Sequence, residues 1–147
     1  MIFNSYIAFI KNSPGSNQYR QAFASVDGLK KEILNDGEFS CAYFVSSVLH
    51  QFLVLDHPHA TVDGTVVAMQ NAGWQEITEP QFGCVLIWEP LEIDGESHKH
   101  IGFYLNEHEA VSNSSIEHTP VLHHPNFVGS IHGERKIISM WWNSRMK

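Results

Sequence analysis

Cys41 and His100 are the side chains of this 147-residue chain best suited to covalent chemistry, and each stands in a setting that gives its type a use. Cys41 follows Ser40, and Cys41, Val45, Val48, Leu49 and Phe52 repeat at helical spacing. That spacing predicts a buried helix beginning at the cysteine and ending near Leu55. Ser40 suits the N-cap, because its hydroxyl can accept from a free backbone N–H one turn on. A thiol in the first turn feels the positive end of the helix dipole, which favours the nucleophilic thiolate. A free cysteine more commonly just packs in a core, and an isolated one does not separate the two roles.

His100 opens an alternating run to Leu105. Asn106-Glu107 and a second run, His108 to Ser114, follow, so the segment reads as a β-hairpin. An imidazole on such a strand, laid against the start of a helix, can take the proton of a thiol and later give one to a leaving amine. If the hairpin turns through Asn106 and Glu107, the ladder sets His100 opposite Asn113. A one-residue bulge sets Ser112 on that face instead. Asn113 has the longer reach and an amide oxygen able to accept from a ring N–H, so it is placed ahead of Ser112 as the group that orients the histidine. For either residue the plainer role is a hydrogen bond to nearby backbone.

These residues need elements to hold them. Ile2, Tyr6, Phe9 and Ile10 predict a first amphipathic helix, stopped by Asn12-Ser13-Pro14-Gly15-Ser16. Gln18 to Val26 and Leu29 to Leu34 read as two helical pieces about a turn at Asp27-Gly28. Beyond the Cys41 helix, Thr61 is a candidate N-cap, Val62, Val66 and Met69 form an apolar stripe, and Gly73 is a stop. From Trp74 the pattern changes to short β-rich runs. Cys84 to Trp88 is apolar on both faces, Pro90 to Lys99 reads as a polar loop, and Arg135 to Trp142 is a last strand. Helices first and antiparallel strands afterwards is the α+β layout, in one domain spanning residues 1–147.

A formal charge of -7 argues against nucleic acid as the main partner. No run is long enough to span a membrane. The first twelve residues lack a basic lead and are broken by Asn4, Ser5 and Tyr6, a poor signal peptide, so a cytoplasmic location is expected, with export by another route left open. Cys41 and Cys84 are too few for a disulfide scaffold, although one bridge between them is open.

Taken in order, these pieces resemble the papain-like cysteine peptidases and amidases of bacterial cell walls, of the NlpC and CHAP types. Ser40-Cys41-Ala42-Tyr43-Phe44-Val45 looks like the family's nucleophile helix. Pro80-Gln81-Phe82-Gly83-Cys84-Val85-Leu86-Ile87-Trp88 is similar to its first core strand, His100-Ile101-Gly102-Phe103-Tyr104 to the strand bearing the catalytic histidine, and Ala110-Val111-Ser112-Asn113-Ser114 to the segment bearing the third polar residue. The resemblance implies a papain-like fold, with a central nucleophile helix on an antiparallel sheet. It also implies hydrolysis of an amide bond without a cofactor, by Cys41 as nucleophile and His100 as base and acid, with Asn113 or Ser112 orienting the ring. Counting positions against the family pattern favours Ser112. Cys84 stands where the family usually has Asp and is read as a core residue. The implied substrate is a peptidoglycan peptide, with an intracellular peptide or amide equally open. The Cys41 N–H would contribute to the oxyanion hole, its second donor unidentified.

Two rivals differ in kind. The first is a non-catalytic binding module on the same scaffold, since fold does not fix function. The second is a metal site: the chain has ten histidines, and His57-x-His59, His98-x-His100 and His123-His124 are candidate ligand pairs. No carboxylate or cysteine stands at a recognised zinc spacing, so no metal ligand is assigned. His123, His124, Pro125 and Phe127 are expected in a surface loop bordering the cleft.

Overall fold

The computed structural model describes residues 2–146. Its helices are α1 (Ile2–Asn12), α2 (Cys41–Gln51) and α3 (Val62–Asn71). Its strands are β1 (Phe23–Val26), β2 (Leu29–Glu32), β3 (Gln75–Ile77), β4 (Val85–Ile93), β5 (Glu96–Asn106), β6 (Glu109–Asn113), β7 (Pro120–His123) and β8 (Ile137–Trp142). β1 and β2 form a small hairpin. The other six form one sheet in the order β3-β8-β4-β5-β6-β7, antiparallel throughout. Helix packed on antiparallel sheet is the α+β class. Among the described residues, no helix is long and apolar enough to cross a membrane.

Alternation along the strands divides the core in two. Val85, Ile87, Ile101, Phe103 and Val111 face the helices, where Tyr6, Ile10, Phe44, Val45, Val48 and Leu49 cover them. Leu86, Trp88 and Ala110 point to the other face, with Cys84, and gather Phe127 and Met140 into a smaller cluster. Tyr6 ties α1 to the start of β4 by donating its hydroxyl to Gly83 O at 2.7 Å. α2 is thereby clamped between α1 and the sheet, its middle buried and its two ends reaching the surface.

Several expectations change. The segment expected to form two helical pieces is instead the β1–β2 hairpin, preceded by a short 3-10 turn at Asn17–Tyr19. Asp27 and Gly28 both adopt positive φ (53° and 75°), the two-residue turn that matches strand twist, and Asp-Gly is a preferred sequence for it. α2 ends at Gln51 rather than near Leu55. Leu53 adopts φ 58°, its N–H bonds to His50 O and that of Val54 to Leu49 O, a Schellman closure that stops the helix. α3 closes the same way with Gly73, and Thr61 caps its start by accepting from the Gly64 N–H at 3.1 Å, both as expected. The expected polar loop from Pro90 to Lys99 is mostly strand: β4 and β5 run on as a hairpin about Asp94-Gly95, and a shift of register between Trp88 and Leu91 accommodates Pro90. β7 occupies the start of the segment expected as a loop.

Candidate active site

The β5–β6 hairpin decides which polar residue meets His100. Its turn is Glu107-His108, and a bulge between Tyr104 and Asn106 brings Gly102 opposite Ser112. The face of β5 that carries His100 and Gly102 therefore carries Ser112 on β6, and Asn113 points to the helix side. His100 Nε2 lies 2.8 Å from Ser112 Oγ. Asn113 does not touch the ring: it donates from Nδ2 to Gly37 O at 2.7 Å and anchors the loop that leads to Cys41. Asn113 is thus replaced by Ser112 as the partner of the histidine, because the bulge moves every side chain of β6 to the other face. Gly37 needs its lack of a side chain, since it has φ 91° and a Cβ would stand 2.5 Å from His118 O.

A second histidine joins the chain. Ser112 Oγ lies 2.7 Å from His123 Nε2, and His123 Nδ1 lies 2.9 Å from His124 O. In register, Val121 faces Ser112 across β6–β7, so His100 and His123 flank the serine diagonally on one face. A carbonyl only accepts, so His123 carries its proton on Nδ1 and presents a lone pair at Nε2. Ser112 then donates to His123 and accepts from the His100 Nε2–H. That leaves His100 Nδ1 unprotonated, with no hydrogen-bond partner among the described residues. The assignment holds for neutral rings, and burial pushes both below the ordinary imidazole range, His100 strongly; the Arg135 charge adds to this at His100.

Packing fixes the rings. Trp88 pairs directly with His100 across β4–β5, with centroids 5.3 Å apart, and its Nε1 donates to Pro125 O at 2.6 Å. Phe127 stacks on His123 at 4.1 Å. Gly102 makes room: a Cβ there would stand 2.7 Å from the Ser112 Cβ and 3.0 Å from the Trp88 ring.

Cys41 is the first residue of α2 and is partly exposed. The β5–β6 pairing ends at Gly102 and Ser112, and beyond that point the helix start meets β5, where the N–H of Ile101, the residue after His100, approaches the sulfur. Cys41, His100, Ser112 and His123 line one cleft of about 690 Å³. Among the described residues no hydrogen bond joins the sulfur to the imidazole directly. Ser40 is the N-cap residue, but its hydroxyl donates to Tyr19 O instead of capping the helix. The expected lowering of the thiol pKa is also reversed: burial raises it, and the Ile101 and Ala42 N–H groups and the Arg135 charge only partly offset that.

Arg135, just before β8, is a charged contributor that spacing did not nominate. Its Nε donates to Glu89 O at 2.7 Å and its Nη2 to His98 O at 2.6 Å, which fixes the guanidinium on the β4–β5 hairpin at the cleft wall. Its charge favours thiolate at Cys41 and disfavours imidazolium at His100. His123 did have a local signal, the short β-rich run from Pro120; Arg135 had none.

Two of the three candidate histidine pairs come apart, and His57 and His59 stay together with their rings 4.3 Å apart. His98 stacks on Phe39 at 5.4 Å while His100 turns to Ser112, and His124 lies 6.4 Å from His108 while His123 turns to Ser112. Cys84 is fully buried, free of any disulfide and pushed up to about 11 by its burial. Comparison with protein-family models, with curated proteins and with solved structures finds no match for the chain.

Proposed function

We propose that the chain is a cysteine hydrolase acting on an amide bond, on a scaffold of papain-like type, with Cys41 as nucleophile, His100 as general base and acid, and Ser112 as the residue that orients the ring. The observation that carries this reading is the directed chain His100–Ser112–His123, which leaves a lone pair on Nδ1 of a histidine that, on the sheet face away from the helices, still lines the same cleft as Cys41. At neutral pH the resting pair is a thiol and a neutral imidazole. The proton leaves sulfur as the carbon–sulfur bond forms, and His100 returns it to the departing amine. Water activated by the same nitrogen then hydrolyses the thioester, releasing the acid and regenerating the thiol. Arg135 holds a fixed positive charge near the sulfur as negative charge develops there.

Peptidoglycan peptides are the first substrate class to try, and intracellular peptides the second. The test is mass spectrometry of cell-wall fragments and a peptide library incubated with the purified chain and with Cys41→Ala. New amine and carboxyl termini should appear with the unaltered chain and vanish with the variant. Cleavage that survives Cys41→Ala, in a variant with unchanged circular dichroism, removes the mechanism.

A further inference from the structure

The loop between α2 and α3 gathers three donors outside the cleft chemistry. One ligand atom from each of Asp56, His57 and His59 lies within 4.8 Å of the other two. Asp56 Oδ1 is 3.1 Å from His57 Nδ1 and 3.9 Å from His59 Nε2, and the two rings are 4.3 Å apart at their centroids. The Asp56–His57 contact accounts for one ring alone. His59 Nε2 is buried with no hydrogen-bond partner among the described residues, and 3.9 Å is too long for one to Asp56.

We propose that Asp56, His57 and His59 form a binding site for a divalent transition-metal ion of the zinc type, with water completing its coordination. Two imidazoles and one carboxylate suit zinc and its neighbours, whereas calcium and magnesium favour all-oxygen sites. The backbone is prepared for it. The His59 N–H donates to Ser46 Oγ at 2.7 Å, and Trp74 Nε1 donates to Val54 O at 3.0 Å. The His59 ring lies against the start of α3, where a Cβ on Gly64 would stand 3.6 Å from its Nδ1. Asp56 and His57 are exposed, Asp56 Oδ1 is held over the loop by the His57 N–H at 2.9 Å, and bonds of about 2.0–2.1 Å in a tetrahedron require the ligand atoms to close to about 3.3 Å. The loop continues into Ala60, Thr61, Val62 and Asp63, which line the cleft, so an ion here braces one cleft wall without touching the reacting atoms.

The test is calorimetric titration of zinc chloride into the full chain, free of any affinity tag and carrying Cys41→Ser so that the cleft thiol cannot bind. One ion per chain with micromolar Kd is expected. Binding should weaken at least about tenfold in His57→Ala and in Asp56→Asn. It should be unchanged in His123→Ala, which reports any competing site in the cleft. Zinc should also raise the Tm, an effect lost in His57→Ala. His57 and Asp56 are exposed, so neither variant threatens folding. Absence of saturable binding below millimolar zinc, or a Kd indifferent to His57→Ala or to Asp56→Asn, overturns the site. Either result leaves the hydrolase reading untouched.

Discussion

Cys41 and Cys84 carry the same thiol into opposite faces of one sheet, and burial raises the pKa of both. Cys84 lies fully buried among Leu86, Trp88 and Ala110, with no base or charge directed at its sulfur, and can only pack. Cys41 opens onto a cleft that His100 also lines, and there backbone N–H groups and Arg135 partly offset the cost of desolvation. The comparison teaches that burial alone does not mark a reactive cysteine. The groups that meet the sulfur and its access to solvent separate the two.

Alkylation is the sharpest way to break that contrast. Iodoacetamide at pH 7 should label Cys41 faster than Cys84 by on the order of a thousandfold or more, since Cys84 reacts only when the core opens. Peptide mapping of the adducts reads the ratio, and equal slow rates would place the two thiols in one class and favour the binding module. The pH profile carries a sign. The thiolate gains population only as pH rises toward the raised pKa of Cys41, and His100 is deprotonated at neutral pH, so labelling should climb from pH 7 to beyond the ordinary thiol range of about 8.5. A plateau reached below pH 6 would instead reveal a preformed thiolate–imidazolium pair.

The next effect in size separates Ser112 from Asn113. Ser112→Ala should lower turnover by about ten- to a hundredfold, about 1.5–3 kcal/mol, and should also cost stability, because the His100 and His123 ring nitrogens lose their shared partner. Asn113→Ala should leave turnover nearly unchanged while costing about 1–3 kcal/mol of stability in denaturant titration by leaving Gly37 O unpaired. If Asn113→Ala shifted the pH profile and Ser112→Ala did not, the assignment of the orienting residue would have to be exchanged. The smallest effect belongs to Cys84. Replacing it by Ser puts a hydroxyl into an apolar cluster and should cost about 1–3 kcal/mol, with the labelling rate of Cys41 unaltered.

Much of the scaffold is legible in local pattern. Helical spacing found α1, α2 and α3, because one-sided burial repeats every three to four residues. The apolar run at Cys84 to Trp88 marked the central strand. The first hairpin was misread because Phe23, Val26 and Leu29 are largely exposed, so no buried face imprints a period of two on the sequence. The Asp-Gly turn was a signal in its own right. The grouping of Asp56 with His57 and His59 had no recognised zinc spacing to announce it, because the turns of a loop decide which of its side chains meet.

By itself the sequence placed Cys41 at a helix start and His100 on a strand, since residue type and periodicity are local properties. Only the tertiary structure chose Ser112 over Asn113, brought in His123 and Arg135, and raised the thiol where the helix dipole alone would lower it. The reason is that a single bulge inverts the faces of a strand, and desolvation depends on everything packed around a group; neither quantity is written in neighbouring residues.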